Sequence, residues 1–267
     1  MKNITKFFTA VCALSSLALC AEVTKFDSTM WQIFNARPKF EGSKVTANNA
    51  SGLKSKKAFS PEEGKTYTLT MDVKRIKETE KNPSLLFGFE GVDAKGNPIP
   101  VQNYQFIKNT FAEVVADAKK GDTTIVINNG KSWRSRSSDY RVVADAKEDF
   151  SDLPNSNIVA RGVKSVKKEG ENWVVTLSFP LSKDVAKGTK VRQHLAGGFF
   201  YINPSITINT DNVYRVKGII KGINKDGLMS KQKGFSFGVP QWRIIILANW
   251  NSSKSGLELD NITFSAE

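Results

Sequence analysis

The chain has 267 residues, with 39 Lys and Arg against 26 Asp and Glu, one His and two Cys. A composition of 40% hydrophobic and 24% charged residues excludes a disordered or collagen-like chain. The single His excludes a multi-His metal site and leaves one candidate, His194, for a His-dependent triad.

Residues 1–21 read as an export signal. Lys2 and Lys6 give a positive start, Phe7 to Cys20 is apolar or small, and Ala18-Leu19-Cys20-Ala21 offers small residues for cleavage. The run is shorter than the roughly 20 residues of a spanning helix, and no later segment reaches that length. The expected location is therefore secreted, extracellular or periplasmic. Both cysteines, Cys12 and Cys20, leave with the segment, so no disulfide is expected. Two alternatives stand beside this one: an uncleaved anchor, or lipid anchoring at Cys20, where Leu19 is bulkier than the residue usual before a lipoprotein cysteine. Without Lys2 and Lys6 the charge falls from +13 to +11. That excess favours an anionic partner such as an acidic polysaccharide or a cell-envelope glycan, or serves solubility alone. An exported protein is not expected to meet nucleic acid.

Downstream, period-two alternation dominates, and it predicts strands. Tyr67, Leu69, Met71 and Val73 share one face of the segment from Lys65 to Lys74, with Thr, Asp72 and Lys74 on the other. Leu85, Phe87 and Phe89 repeat the pattern, as do Trp173, Val175, Leu177 and Phe179. Between these runs, Thr110 with Glu113 makes a capping box, and Phe111, Val114, Val115 and Ala118 follow at helical spacing. This predicts a short helix, or else an irregular strand. In Tyr214 to Lys221, basic residues alternate with Val216, Gly218 and Ile220, which puts much of the charge on solvated faces. Trp242 to Ala248 is apolar on both faces, as a central strand would be. Leu257 and Leu259 are out of phase with Ile262 and Phe264, so a bulge is expected at Asp260-Asn261. Turns are expected at Asp93–Pro98, Lys168–Glu171 and Asn224–Gly227. The fold class is all-β, a sandwich or barrel.

The order of segments resembles the jelly-roll carbohydrate-binding modules of the galactose-binding-like group. The resemblance rests on Phe26-Asp27 with Trp31, on Pro61 to Leu69, and on Leu86-Phe87-Gly88-Phe89 with Asp93 and Gly96. It continues in Ile244 to Asn249 and in the ending Leu257-Glu258-Leu259-Asp260-Asn261-Ile262. It implies a jelly-roll β-sandwich from residues 22–105 and 206–267. Residues 106–205 are similar to a β-rich insertion of secreted carbohydrate-active proteins, through Ala118–Thr123, Asp152–Asn155 and Ala186–His194. Asp27 stands where the family has Glu. The resemblance also implies neighbouring first and last strands that bring Asp27 towards Asp260, a pair suited to structural calcium with backbone carbonyls completing the shell. Capping of turns is the alternative for both residues.

Sugar recognition needs an aromatic platform with polar groups around it. Trp250 opens the polar loop Asn249 to Gly256 and is the first candidate, with Asn249 beside it. Trp133, amid Ser, Arg and Lys, forms a second candidate set with Tyr140. Trp31, Trp173 and Trp242 read as core. No catalytic residue is assigned: His194 reads as a surface or hydrogen-bonded side chain, and the pairs Asp149/Asp152 and Glu90/Asp93 show no hydrolase spacing by sequence proximity alone. The expected function is a secreted, non-catalytic carbohydrate-binding protein. A structural protein adhering to polyanions and a polysaccharide-cleaving enzyme are the alternatives.

Overall fold

Alternation becomes strand because one face of each run must leave water while its backbone pairs with neighbours. In the computed structural model Tyr67, Leu69, Met71 and Val73 are all buried, while the intervening Thr and Asp72 stay partly exposed. The structure describes residues 22–77, 81–224, 234–250 and 255–267. The export segment with Cys12 and Cys20 lies outside them, as does most of the turn expected at Asn224–Gly227.

The molecule is all-β. The first part of the chain supplies β1 (Glu22–Lys25), β2 (Trp31–Asn35), β3 (Lys39–Glu41), β4 (Lys44–Ala47), β5 (Ser51–Ser55), β6 (Thr66–Lys77) and β7 (Ser84–Val92). The middle supplies β8 (Ala112–Glu113), β9 (Thr124–Ile127), β10 (Ser137–Ala144), β11 (Ile158–Glu169), β12 (Asn172–Leu177) and β13 (Lys190–Leu195). The return supplies β14 (Phe200–Tyr201), β15 (Ile206–Thr207), β16 (Tyr214–Asn224), β17 (Gly234–Ser236), β18 (Gln241–Ala248) and β19 (Gly256–Ala266).

Two sheets make the sandwich. One runs β17-β16-β6-β19-β4-β3 with β1 also on β19; the other runs β14-β7-β18-β5-β2 with β15 also on β7. Their inner faces share one core, in which Leu69, Met71 and Val73 of the first sheet meet Leu53, Phe87, Phe89 and Ile244 of the second. β18 is central in its sheet, and residues on both its faces are buried, as its doubly apolar sequence predicts. In β19 the register breaks between Asp260 and Thr263, with Asn261 at φ 47°, so that Leu259 and Ile262 both reach the core. No helix among the described residues is long and apolar enough to cross a membrane.

The third sheet, β8-β13-β10-β11-β12-β9, has its own core around Val142, Val163, Val175 and Val191. Its strands span residues 112–195, and from Phe200 the chain is back in the sandwich. The helix expected over Thr110–Ala118 does not form. Val114, Val115 and Ala118 donate their N–H groups to Thr189, Val126 and Val185 across the sheet, and the Thr110 hydroxyl donates to the Ile107 carbonyl rather than capping a helix. Long-range pairing overrides a local capping box because it satisfies the same backbone groups and buries the apolar side chains as well. Phe179 departs from its expected phase for a simpler reason: β12 ends at Leu177, and Phe179 is exposed.

A buried polar cluster joins the third sheet to the sandwich. Arg192 donates to Asp152 at 2.7 Å, to the Lys147 carbonyl at 3.1 Å and, through Nε, to His194 Nε2 at 3.0 Å. The guanidinium lies 4.9 Å from the Phe106 ring and 5.3 Å from Phe150. Because Arg192 Nε can only donate, His194 Nε2 must accept; Nδ1 then carries the proton and donates to the Gln102 carbonyl at 2.7 Å. Burial first, and the Arg192 charge second, push the imidazole down to about 3. His194 is thus a neutral structural link, not a surface side chain. Burial raises the Asp152 carboxyl, but Asn155 and Arg192 outweigh it and hold the group below the ordinary carboxylate range.

Candidate ligand-binding face

The outer face of the sandwich's second sheet is assembled by the alternation that builds the core. Where Phe87 and Phe89 point inward, Leu86, Gly88 and Glu90 point outward; where Ile244 and Ile246 point inward, Arg243, Ile245 and Leu247 point outward. β5 adds Lys54 and β2 adds Phe34 to this outer side. Ile245 and Leu247 are fully buried on an outer surface, so something must cover them.

Two glycines permit the cover. The Phe34 ring lies directly on Gly52, where a Cβ would sit 2.3 Å from a ring carbon. The main chain at Phe200 and Tyr201 lies on Gly88, where a Cβ would sit 2.0 Å from the Phe200 carbonyl oxygen. Phe199 then approaches Phe34, with ring centroids 5.9 Å apart, and meets Tyr201 at 6.2 Å. The three rings, each only partly buried, form a strip across the face. It joins a residue of the first part of the chain to two that follow the third sheet.

An ionic group borders the strip. Lys54 donates to Glu90 Oε1 at 2.7 Å and sits 5.6 Å from the centre of the Phe34 ring. Arg243 stands opposite Glu90 across the β7–β18 pair. Among the described residues Glu90 Oε2 and Arg243 Nε are buried without a hydrogen-bond partner, an unsatisfied acceptor and donor within this ionic group. Burial raises the Tyr201 phenol above its ordinary range, so it remains a neutral donor at physiological pH.

The residues singled out from sequence do not come together. Trp250 is exposed at the end of β18 and makes no ring contact among the described residues. Asn249 is buried, at φ 56°, and its side chain pairs with Ser255 through the Ser255 carbonyl and hydroxyl. It ties the two ends of the loop together. Part of that loop, residues 251–254, lies outside the described residues. Trp133 is buried in the core of the third sheet, where Nε1 donates to the Thr110 carbonyl at 2.9 Å. This corrects its reading as a loop platform: at 7% exposure the ring is a core side chain with little surface left to stack on a sugar. Tyr140 packs half-buried against the same core.

The first and last strands are neighbours: β1 pairs with β19, and the Phe26 N–H donates to the Ile262 carbonyl at 3.0 Å. Asp27 and Asp260 act there as caps. Asp27 Oδ1 accepts from the Thr29 amide and hydroxyl, and Asp260 Oδ1 accepts from the Ser43 hydroxyl and the Asn261 amide. Among the described residues no group of three or more His, Cys, Asp or Glu is placed to hold a metal ion. Each of the two carboxylates has one oxygen taken by these donors. Three carboxylates of the sequence-read pairs are likewise engaged: Asp93 receives the Lys95 and Asn97 amides, Asp149 caps Ser151, and Asp152 holds Arg192.

Sequence reasoning missed Phe34, Phe199, Tyr201, Lys54 and Glu90. Gly197-Gly198 ahead of Phe199-Phe200-Tyr201 is the signal that pointed there, a flexible step leading into aromatics. Comparison with protein-family models, with curated proteins and with solved structures found no match to this chain, so the face stands on its own residues.

Proposed function

We propose that this is an exported, non-catalytic carbohydrate-binding protein whose outer aromatic strip receives a polysaccharide. One observation carries the reading: Phe34, Phe199 and Tyr201 form a continuous, half-open strip beside Lys54, Glu90 and Arg243. Pyranose C–H faces stack on such rings, and charged donors around them fix hydroxyl or carboxylate groups. Two cations against one carboxylate favour an acidic chain. The resemblance to galactose-binding-like jelly-roll modules and the export-like first 21 residues point to the same partner, a cell-envelope or extracellular glycan.

Affinity electrophoresis of the purified chain through neutral and acidic polysaccharides tests this. Retention is expected to fall by about tenfold for Phe199→Ala and for Tyr201→Ala, at roughly 1–1.5 kcal/mol per lost stacking contact. Trp250→Ala should keep most of it. Retention by every polyanion alike, abolished by moderate salt and unchanged in the aromatic variants, would instead support adhesion through net charge.

A further inference from the structure

A separate cleft of about 1100 Å³ lies at one edge of the sandwich, lined by residues of both sheets. Its deep wall is core: Phe26, Phe59, Tyr67, Ile244 and Phe264. Phe59 is the hub, 4.7 Å from Phe264 and 5.6 Å from Tyr67 by ring centroid.

The polar groups of Ser55, Tyr67 and Thr29 on this wall are already partnered. The Ser55 hydroxyl donates to the Lys57 carbonyl and accepts from the Ile244 amide. The Tyr67 phenol oxygen accepts from the Glu62 amide, and the Thr29 hydroxyl is held by Asp27. A sugar entering here would exchange water for rings and spent hydroxyls, leaving most of its own hydroxyls unsatisfied. An alkyl chain would lose nothing.

The mouth has the opposite character. Lys56 and Lys57 are exposed on its lining and form no ion pair among the described residues, whereas Lys65 is engaged by Glu62; Glu267 adds one further carboxylate, so the lysines remain in excess by one. An apolar interior of this volume behind two unpaired ammonium groups matches an amphiphile with one negative end. We infer that the cleft binds a long-chain carboxylate, its alkyl chain between the sheets on Phe59 and Phe264 and its head group at Lys56 and Lys57. This site is independent of the outer aromatic strip.

The test is displacement of cis-parinaric acid from the full chain by saturated carboxylates of eight to sixteen carbons and by alcohols of matching length. Affinity should rise about fourfold for each added CH2 until the cleft is filled, because each buried CH2 contributes about 0.8 kcal/mol. Lys56→Glu with Lys57→Glu should weaken the carboxylates by about tenfold and the alcohols by less than twofold. Ala58→Trp, which narrows the cleft, should weaken both, with circular dichroism reporting that the fold is kept. The inference is overturned if no chain length displaces the probe, if affinity is flat with length, or if an oligosaccharide displaces the probe instead. It is also overturned if carboxylate and alcohol respond alike to the lysine reversals. Phe199→Ala should leave this binding intact, so failure here and failure of the glycan site are read separately.

Discussion

His194 offers a clean measurement because it is the only histidine in the chain. It is fully buried, and burial together with the Arg192 charge pushes its imidazole from the ordinary 6.5 down to about 3. The unfolded chain therefore takes up a proton below pH 6.5 that the folded protein refuses until about pH 3. Stability from this group is complete above 6.5 and is lost as pH falls towards 3. At pH 5 the loss is roughly 2 kcal/mol, at about 1.4 kcal/mol for each pH unit below the ordinary value. The buried acid Asp152 and the surface carboxylates Asp72 and Asp211 are held below their usual range. Their contributions fade only below about pH 4, so the two windows separate. Urea unfolding followed by tryptophan fluorescence between pH 7.5 and 5 should show the decline in the native chain. It should be absent in His194→Gln, whose amide can still accept from Arg192 and donate to Gln102. A native chain equally stable at pH 7.5 and 5, or an equal decline in the variant, would refute the argument that a neutral imidazole is buried there.

Asp152→Asn should cost about 3–5 kcal/mol in the same unfolding assay, because it leaves the Arg192 guanidinium buried without its counter-charge. Gly88→Ala places a methyl group against the Phe200 carbonyl and should destabilise by about 1–3 kcal/mol; it should also reduce glycan retention by lifting Phe199 and Tyr201 off the sheet. Millimolar calcium should leave the thermal midpoint unchanged, since one oxygen of Asp27 and one of Asp260 already accept from neighbouring amides and hydroxyls; a rise of several degrees that chelator reverses would support calcium at this pair.

Local chemistry by itself determined the strands. Burial alternates residue by residue in β6, β18 is apolar on both faces, and the phase change at Asp260-Asn261 is a bulge. Such patterns need only the pleat and the exclusion of apolar side chains from water, both written in neighbouring residues. Tertiary structure alone decided the rest. Trp133 sits among Ser, Arg and Lys in sequence, yet Thr110 and the third sheet's core enclose it. The capping box at Thr110 became a strand because partners more than ten residues away claimed its amides. His194 became a buried link because the Gln102 carbonyl and Arg192, itself held by the distant Asp152, converge on it. The aromatic strip exists only where Phe34 meets Phe199, 165 positions later, over a glycine that lets the ring lie flat. Contacts of that range depend on which strands pair and how the sheet curves, and no short window of sequence carries that information.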